Sequence, residues 1–124
     1  FAFYPEDMKS DHPISFLIAE IVREKMLLLL NEEVPHCTAV KVEKMEKIND
    51  TLHIYVTIVC ERDSQKGIII GSQGKMIKKI GMQARRDIEK VMNRKINLKT
   101  FVRVEDKWRD SNNYLKEFGY TVEK

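Results

Sequence analysis

The segment GIIIGSQGKMIKKI, residues 67–80, sets two glycines three apart between an apolar run and a basic one. Glycine is scarce here: the 124-residue chain has five, and three of them fall within this stretch. A G-x-x-G turn bends the backbone tightly and leaves no side chain to hold a ligand away. Beyond the second glycine, Ile77, Ile80, Ala84, Ile88 and Val91 recur at the spacing of a helix with one apolar face. Lys75, Lys78, Lys79, Arg85 and Arg86 fall largely elsewhere on that helix. A helix starting at Gly74 aims its unpaired amide groups and its dipole at whatever approaches the turn, an arrangement suited to phosphate. A lone G-x-x-G is common in proteins. The combination I-I-G-x-x-G-x-x-I followed by a basic helix is far more specific.

The rest of the chain can be read around that turn. Asp11 and Pro13 suit a helix start, because Asp accepts orphan amide hydrogens and Pro is tolerated in a first turn. Ile18, Val22, Met26 and Leu29 then recur at helical spacing. Val34-Pro35 is expected to end that helix, since the residue before Pro is pushed out of the helical region. Val40 and Val42 alternate with charged neighbours, Asn49-Asp50 reads as a hairpin turn, and Leu52, Ile54, Val56, Ile58 and Cys60 form one face of a second strand. Ser64 is a candidate helix cap, yet Ile68-Ile69-Ile70 favours a strand by composition. A third strand is expected through Ile96, Leu98, Thr100 and Val102, and a short helix from Trp108 to Phe118, stopped by Gly119. The order helix, strand, strand, ambiguous segment, helix, strand, short helix reads as an α+β fold with helices on one face of a small sheet.

Charge is segregated along the chain. Residues 66–109 carry 13 Lys/Arg against 4 Asp/Glu, whereas residues 1–65 carry 7 against 12. A basic excess centred on a Gly-rich turn points to a polyanion partner. Met26 to Leu30 and Ile68 to Ile70, the longest apolar runs, are too short to span a bilayer, and no signal-peptide pattern opens the chain. The first residue is not Met, so the chain reads as a piece of something longer. Cys37 and Cys60 fall in expected strands without C-x-x-C spacing, which favours a reducing, cytoplasmic setting. His12, His36 and His53 lack metal-ligand spacing, and His36-Cys37, as strand neighbours, would face opposite ways, so neither a metal site nor a catalytic dyad is expected. Lys75 follows Gly74, but Ile69 and Met76 stand where a nucleotide-binding phosphate loop needs Gly and Ser/Thr. No catalytic group is expected.

These features resemble a KH domain, whose G-x-x-G loop clamps a short run of single-stranded nucleotides by the backbone. Helix and hairpin ahead of the motif and a strand after it correspond to the type II order, α-β-β-α-α-β with a three-stranded mixed sheet. More specifically, YPEDM…DHP, EIVREKMLLLLNEEVPH, ERDSQKGIIIGSQGKMIKKIGMQARRDIE and VRVEDKWRDSNNYLKEFGY are similar to the C-terminal KH domain of the Era family of GTPases. The resemblance covers nearly the whole chain. It implies that residues 1–12 are a linker from an N-terminal GTPase domain and that residues 13–124 are the RNA-binding domain. It also makes Gln65 to Ile70 a short helix after a Ser64 cap, against the strand propensity.

The same resemblance implies an RNA site of Lys66, Ile69, Ile70, Gly71, Ser72, Gln73, Gly74, Lys75, Lys78 and Lys79. Ile69 or Ile70 is expected to line the groove on which bases lie. The implied partner is the 3′ end of small-subunit ribosomal RNA, and the implied parent is a GTPase that assists small-subunit assembly. GTP and Mg would belong to that parent, with no cofactor and no metal in this chain. Peripheral association of the parent with the inner membrane is a further expectation. One departure bears on the site: family members usually carry Lys and Gly between the loop glycines, where this chain has Ser72 and Gln73. Phosphate gripping should then shift toward Lys75, Lys78 and Lys79. Trp108 reads as a packing anchor, whereas Tyr55 divides evenly between packing and base stacking. Two other classes fit the residues: a module using the basic helix against an acidic protein or a membrane surface, and a nucleotide-handling enzyme fragment. The second is disfavoured because no acid/base pair or nucleophile converges.

Overall fold

Alternation of apolar and charged residues after Thr38 does make a strand, and its partner follows after a two-residue turn. The computed structural model describes residues 12–30 and 34–106. The expected Asp11 cap and the helix over Trp108 to Phe118 lie outside them. The described elements are helix α1 (His12–Leu29), strands β1 (Thr38–Ile48) and β2 (Thr51–Cys60), helices α2 (Asp63–Ile70) and α3 (Lys75–Met92), and strand β3 (Lys95–Val104). β2 is central, pairing antiparallel with β1 and parallel with β3. The α+β architecture and mixed three-stranded sheet are therefore as expected. Asn49 takes a left-handed φ of 57° in the hairpin turn, which Asn tolerates better than most residues.

The core lies between one face of the sheet and the helices. Leu52, Ile54, Val56, Ile58 and Cys60 point into it from β2, against Ile14, Ile18, Val22, Met26 and Leu30 from the α1 segment and Ile80, Ala84 and Ile88 from α3. Each fully buried Ile or Val side chain contributes roughly 1.5–3 kcal/mol over remaining exposed. A bulge between Val42 and Lys44 shifts the β1 register by one residue. Beyond it Met45 packs against the core, and Lys44 stands opposite Tyr55 on the outer face. There Lys44 and Lys99 lie 5.7 and 5.9 Å from the Tyr55 ring centre, within cation–π range. Tyr55 is thus on the sheet face opposite the helices.

Several local expectations change. α1 ends at Leu29, ahead of Val34, and Val34 itself adopts helical φ −65° and ψ −47° at the entry to a short 3-10 turn, Pro35–Cys37. Burial of the Val34 side chain in the core outweighs the steric bias imposed by the following Pro. His36 and Cys37 occupy that turn and not a strand. Leu29 is only half-buried because the i+4 stripe from Met26 lands on Leu30. Val91 is 48% exposed, since the buried stripe of α3 continues from Ile88 to Met92. Cys37 and Cys60 are free thiols, and burial pushes the Cys60 thiol up. No helix of the described residues is long and apolar enough to cross a membrane.

Two charged contacts fix α3 in place. Lys25 of α1 pairs with Asp87 of α3. Glu89, near the end of α3, accepts hydrogen bonds from the Ile96 backbone N–H and from Arg85, each at 3.0 Å. The Ile96 amide, more than the Arg85 charge, holds the Glu89 carboxyl below its ordinary value of 4.5. A carboxyl lowered on folding stabilises the fold above its unfolded pKa, and this contribution disappears as pH falls through the folded value. Glu89→Gln should therefore be less stable than the parent at neutral pH, with the difference shrinking in urea melts as pH falls through and below the ordinary carboxylate range. A difference independent of pH would mean that the ionised carboxylate adds nothing.

Candidate nucleic-acid interface

The turn after Ile70 is built by backbone conformations that its residues only partly favour. α2 begins at Asp63 with Arg62 as its cap, and the Gln65 side chain accepts the Glu61 and Arg62 backbone N–H groups at 2.9 and 3.0 Å. Gln65 thus reaches back to the residues ahead of the helix, Ser64 lies within the first turn instead of capping it, and the helix starts two residues before the expected Gln65. Within it Ile69 is fully buried, Ile68 is 44% exposed and Ile70 is half-buried. Burial of Ile69 among the core side chains offsets the strand preference of three β-branched residues.

Gly71 leaves α2 with φ 77° and ψ 173°, Gln73 is left-handed at φ 55° and ψ 27°, and Gly74 follows at φ 75° and ψ 13°. Gly74 N–H closes the turn on the Gly71 carbonyl at 3.1 Å. Gln73 carries a side chain in a conformation that glycine adopts freely, at a cost of about 1–2 kcal/mol for an ordinary L-residue. Gly74 then caps α3 without any side-chain hydrogen bond, and no acidic residue lies in the first turn of α3. The Lys75 N–H already donates to the Ser72 carbonyl, so what the turn presents to an anion is chiefly the positive end of an 18-residue helix.

The expected cations surround this end. Lys75, Lys78 and Lys79 are exposed and Lys66 is half-buried, and none of the four is in an ion pair among the described residues. Ser72 and Gln73 are exposed at the tip. Ile69 does not join this surface: with no exposure, it underlies the turn without lining a groove. Ile70 keeps partial exposure at the junction.

A groove with a volume of about 390 Å³ lies between α3 and β3. Its walls are Ile77, Lys78, Gly81, Met82 and Arg85 from α3, and Leu98 and Thr100 from β3. Of the residues expected in the site, Lys78 alone belongs to this wall. Ile77, expected in the core, is only partly buried and faces the groove. The β3 wall could not be read without knowing that β3 pairs with β2 at the edge of the sheet. The α3 wall left a trace in the sequence, a glycine inside a helical period. Arg85 is shared with Glu89, and Tyr55 lies on the other side of the sheet, apart from the turn and the groove. Among the described residues no group of three or more His, Cys, Asp or Glu could hold a metal ion.

A helix-turn-helix around G-x-x-G, set beside the edge strand of a mixed sheet, is a KH arrangement, and the KH domain family profile matches residues 33–109. The chain belongs to the KH domain family. This KH domain is also similar to longer proteins. GTPase Era of Lacticaseibacillus paracasei is 53% identical over 121 residues, covering 97% of this chain and 40% of that protein. Among solved structures, Era of Aquifex aeolicus bound to GDP and AlF4− matches 97% of the chain and 41% of that protein, with 39% identity and a TM-score of 0.85. Era in complex with MgGDPNP and nucleotides 1506–1542 of 16S ribosomal RNA matches 98% of the chain and 41% of that protein, with 38% identity and the same TM-score. The chain thus spans about two fifths of the length of the Era proteins it resembles.

Proposed function

We propose that this KH domain binds single-stranded RNA, with the sugar-phosphate backbone at the Gly71–Gly74 turn and bases along the groove between α3 and β3. The observation that carries the reading is the uncapped N-terminus of α3, framed by two positive-φ glycines and by four lysines without ion pairs among the described residues. A helix N-terminus and lysines recognise phosphate without regard to sequence, while Ile77, Met82 and Leu98 offer unstacked bases apolar contacts in a groove that also carries polar groups. The finer reading is that the RNA is the 3′ end of small-subunit ribosomal RNA. The parent protein would be a GTPase acting in small-subunit assembly, with GTP and Mg held by another domain and residues 1–12 linking to it. The similar Era protein captured with a segment of 16S ribosomal RNA supports that reading. A cytoplasmic location follows from such a partner.

Titrating a labelled single-stranded RNA and its duplex at two salt concentrations tests the proposal. The single strand should bind more tightly, because an A-form duplex keeps its bases stacked away from the groove. Its affinity should fall with salt by a logarithmic slope of about −0.7 for each phosphate contacted. Equal affinity for both forms would instead indicate unspecific attraction to the basic helix. Affinity for an acidic protein or an anionic vesicle exceeding that for RNA would favour a different partner.

A further inference from the structure

Gly81 lies in the interior of α3, where glycine is, apart from proline, the residue that least favours a helix. The usual structural reasons for keeping glycine do not apply. Its φ is not positive, in contrast with Gly71 and Gly74. No backbone presses on it: a Cβ at this position would meet only the Thr100 side chain, Oγ1 at 3.8 Å and Cγ2 at 3.9 Å, which is ordinary van der Waals contact. The fold would therefore accept alanine here, and the helix would gain from it.

What a methyl group would change is the groove. Gly81 and Thr100 face each other across it, one from α3 and one from β3. A Cβ in contact with Thr100 would bridge the two walls and take up space in the groove between Lys78 and Arg85. Lys78 and Arg85 flank Gly81 along the same helix wall, about one turn to either side. We propose that Gly81 is a specificity-determining position: its bare backbone is the floor on which one nucleobase lies, with the base edge toward the Thr100 hydroxyl. That hydroxyl can both donate and accept a hydrogen bond. Lys78 and Arg85 would meet the flanking phosphates. The inference rests on the RNA-binding reading above and adds to it a defined seat for a base.

The test compares two glycine substitutions in the chain, using the labelled single-stranded RNA. Gly67 is also helical, in α2, and a Cβ there would meet nothing within 4 Å. Gly67→Ala and Gly81→Ala should each raise the melting temperature, by roughly 3–6 °C from helix propensity alone. Only Gly81→Ala should weaken RNA binding, by about tenfold, a loss of one further nucleobase contact of the kind aromatic platforms also supply. Gly81→Leu should weaken it further while remaining folded. Trimming only the methyl of the opposite wall, in Gly81→Ala/Thr100→Ser, should recover part of the loss, because the groove is widened while the hydroxyl that meets the base edge is kept. Parent-like affinity in Gly81→Ala would overturn the seat and leave the RNA-binding reading intact. A fall in its melting temperature would show that the fold needs this glycine, and would overturn the seat as well. Failure of the parent chain itself to bind single-stranded RNA would remove both.

Discussion

Replacing Ser72 and Gln73 together by Asp should reduce RNA affinity about a hundredfold and leave the melting temperature within a few degrees of the parent. Both side chains are exposed at the tip of the turn, so no core contact is lost. Asp tolerates the left-handed conformation of Gln73 at least as well as Gln does. At ~6 Å and an effective dielectric constant of ~40, one carboxylate facing one phosphate costs about 1.4 kcal/mol. Two such pairs approach 3 kcal/mol, and they also oppose the positive end of α3. The converse pair, Ser72→Lys with Gln73→Gly, should tighten binding by about 1 kcal/mol with a steeper salt dependence. Gln73→Gly should also relieve a left-handed L-residue, about 1 kcal/mol of stability before the added chain entropy of glycine is deducted. Fluorescence anisotropy and thermal melts on the same samples separate the two effects. Unchanged RNA affinity in a folded double Asp variant would reduce the loop to a plain turn.

The second large effect distinguishes the two glycines of the motif. Gly71→Ala should destabilise the chain by roughly 2–4 kcal/mol, whereas Gly74→Ala should cost nearer 1–2 kcal/mol. Gly71 combines φ 77° with ψ 173°, a region accessible in practice to glycine alone. A Cβ there would also come within 2.6 Å of Met76 Cβ and 2.9 Å of the Met76 backbone nitrogen, atoms that cannot move without unwinding the first turn of α3. Gly74, at φ 75° and ψ 13°, is in the ordinary left-handed region with open space around it. Urea denaturation of the two single variants measures the difference. Equal losses would mean that the Met76 contact is relaxed easily and that φ alone sets the cost.

Much of this was legible in the residues themselves. The period of Ile80, Ala84 and Ile88, the alternation through β2, the Asn49-Asp50 turn and the G-x-x-G bend all express local preferences: side-chain spacing, capping and the freedom of glycine. The clustering of lysines after Gly74 is local as well, so the uncapped, cationic start of α3 could be anticipated without a structure. What local propensity by itself misreads is decided at a distance. Ile68-Ile69-Ile70 is helical, as the family resemblance implied, because Ile69 fills a space in a core shared with α1, α3 and all three strands, and burial of that side chain exceeds a propensity difference of a few tenths of a kcal/mol per residue. Val34 keeps helical dihedrals before Pro35 for the same reason.

The groove shows the division most clearly. Its helix wall was present in the sequence as Ile77, Lys78, Gly81, Met82 and Arg85 at helical spacing, yet nothing local gave those residues a facing wall. Leu98 and Thr100 become that wall only because β3 pairs parallel to β2 at the sheet edge, with α3 crossing back to make the connection. By itself the sequence determined the elements, the bare turn and the placement of charge, since each depends on neighbours along the chain. Only the tertiary structure decided which isoleucine is core, which is surface, and where a base could lie, because burial and strand pairing join residues far apart in sequence.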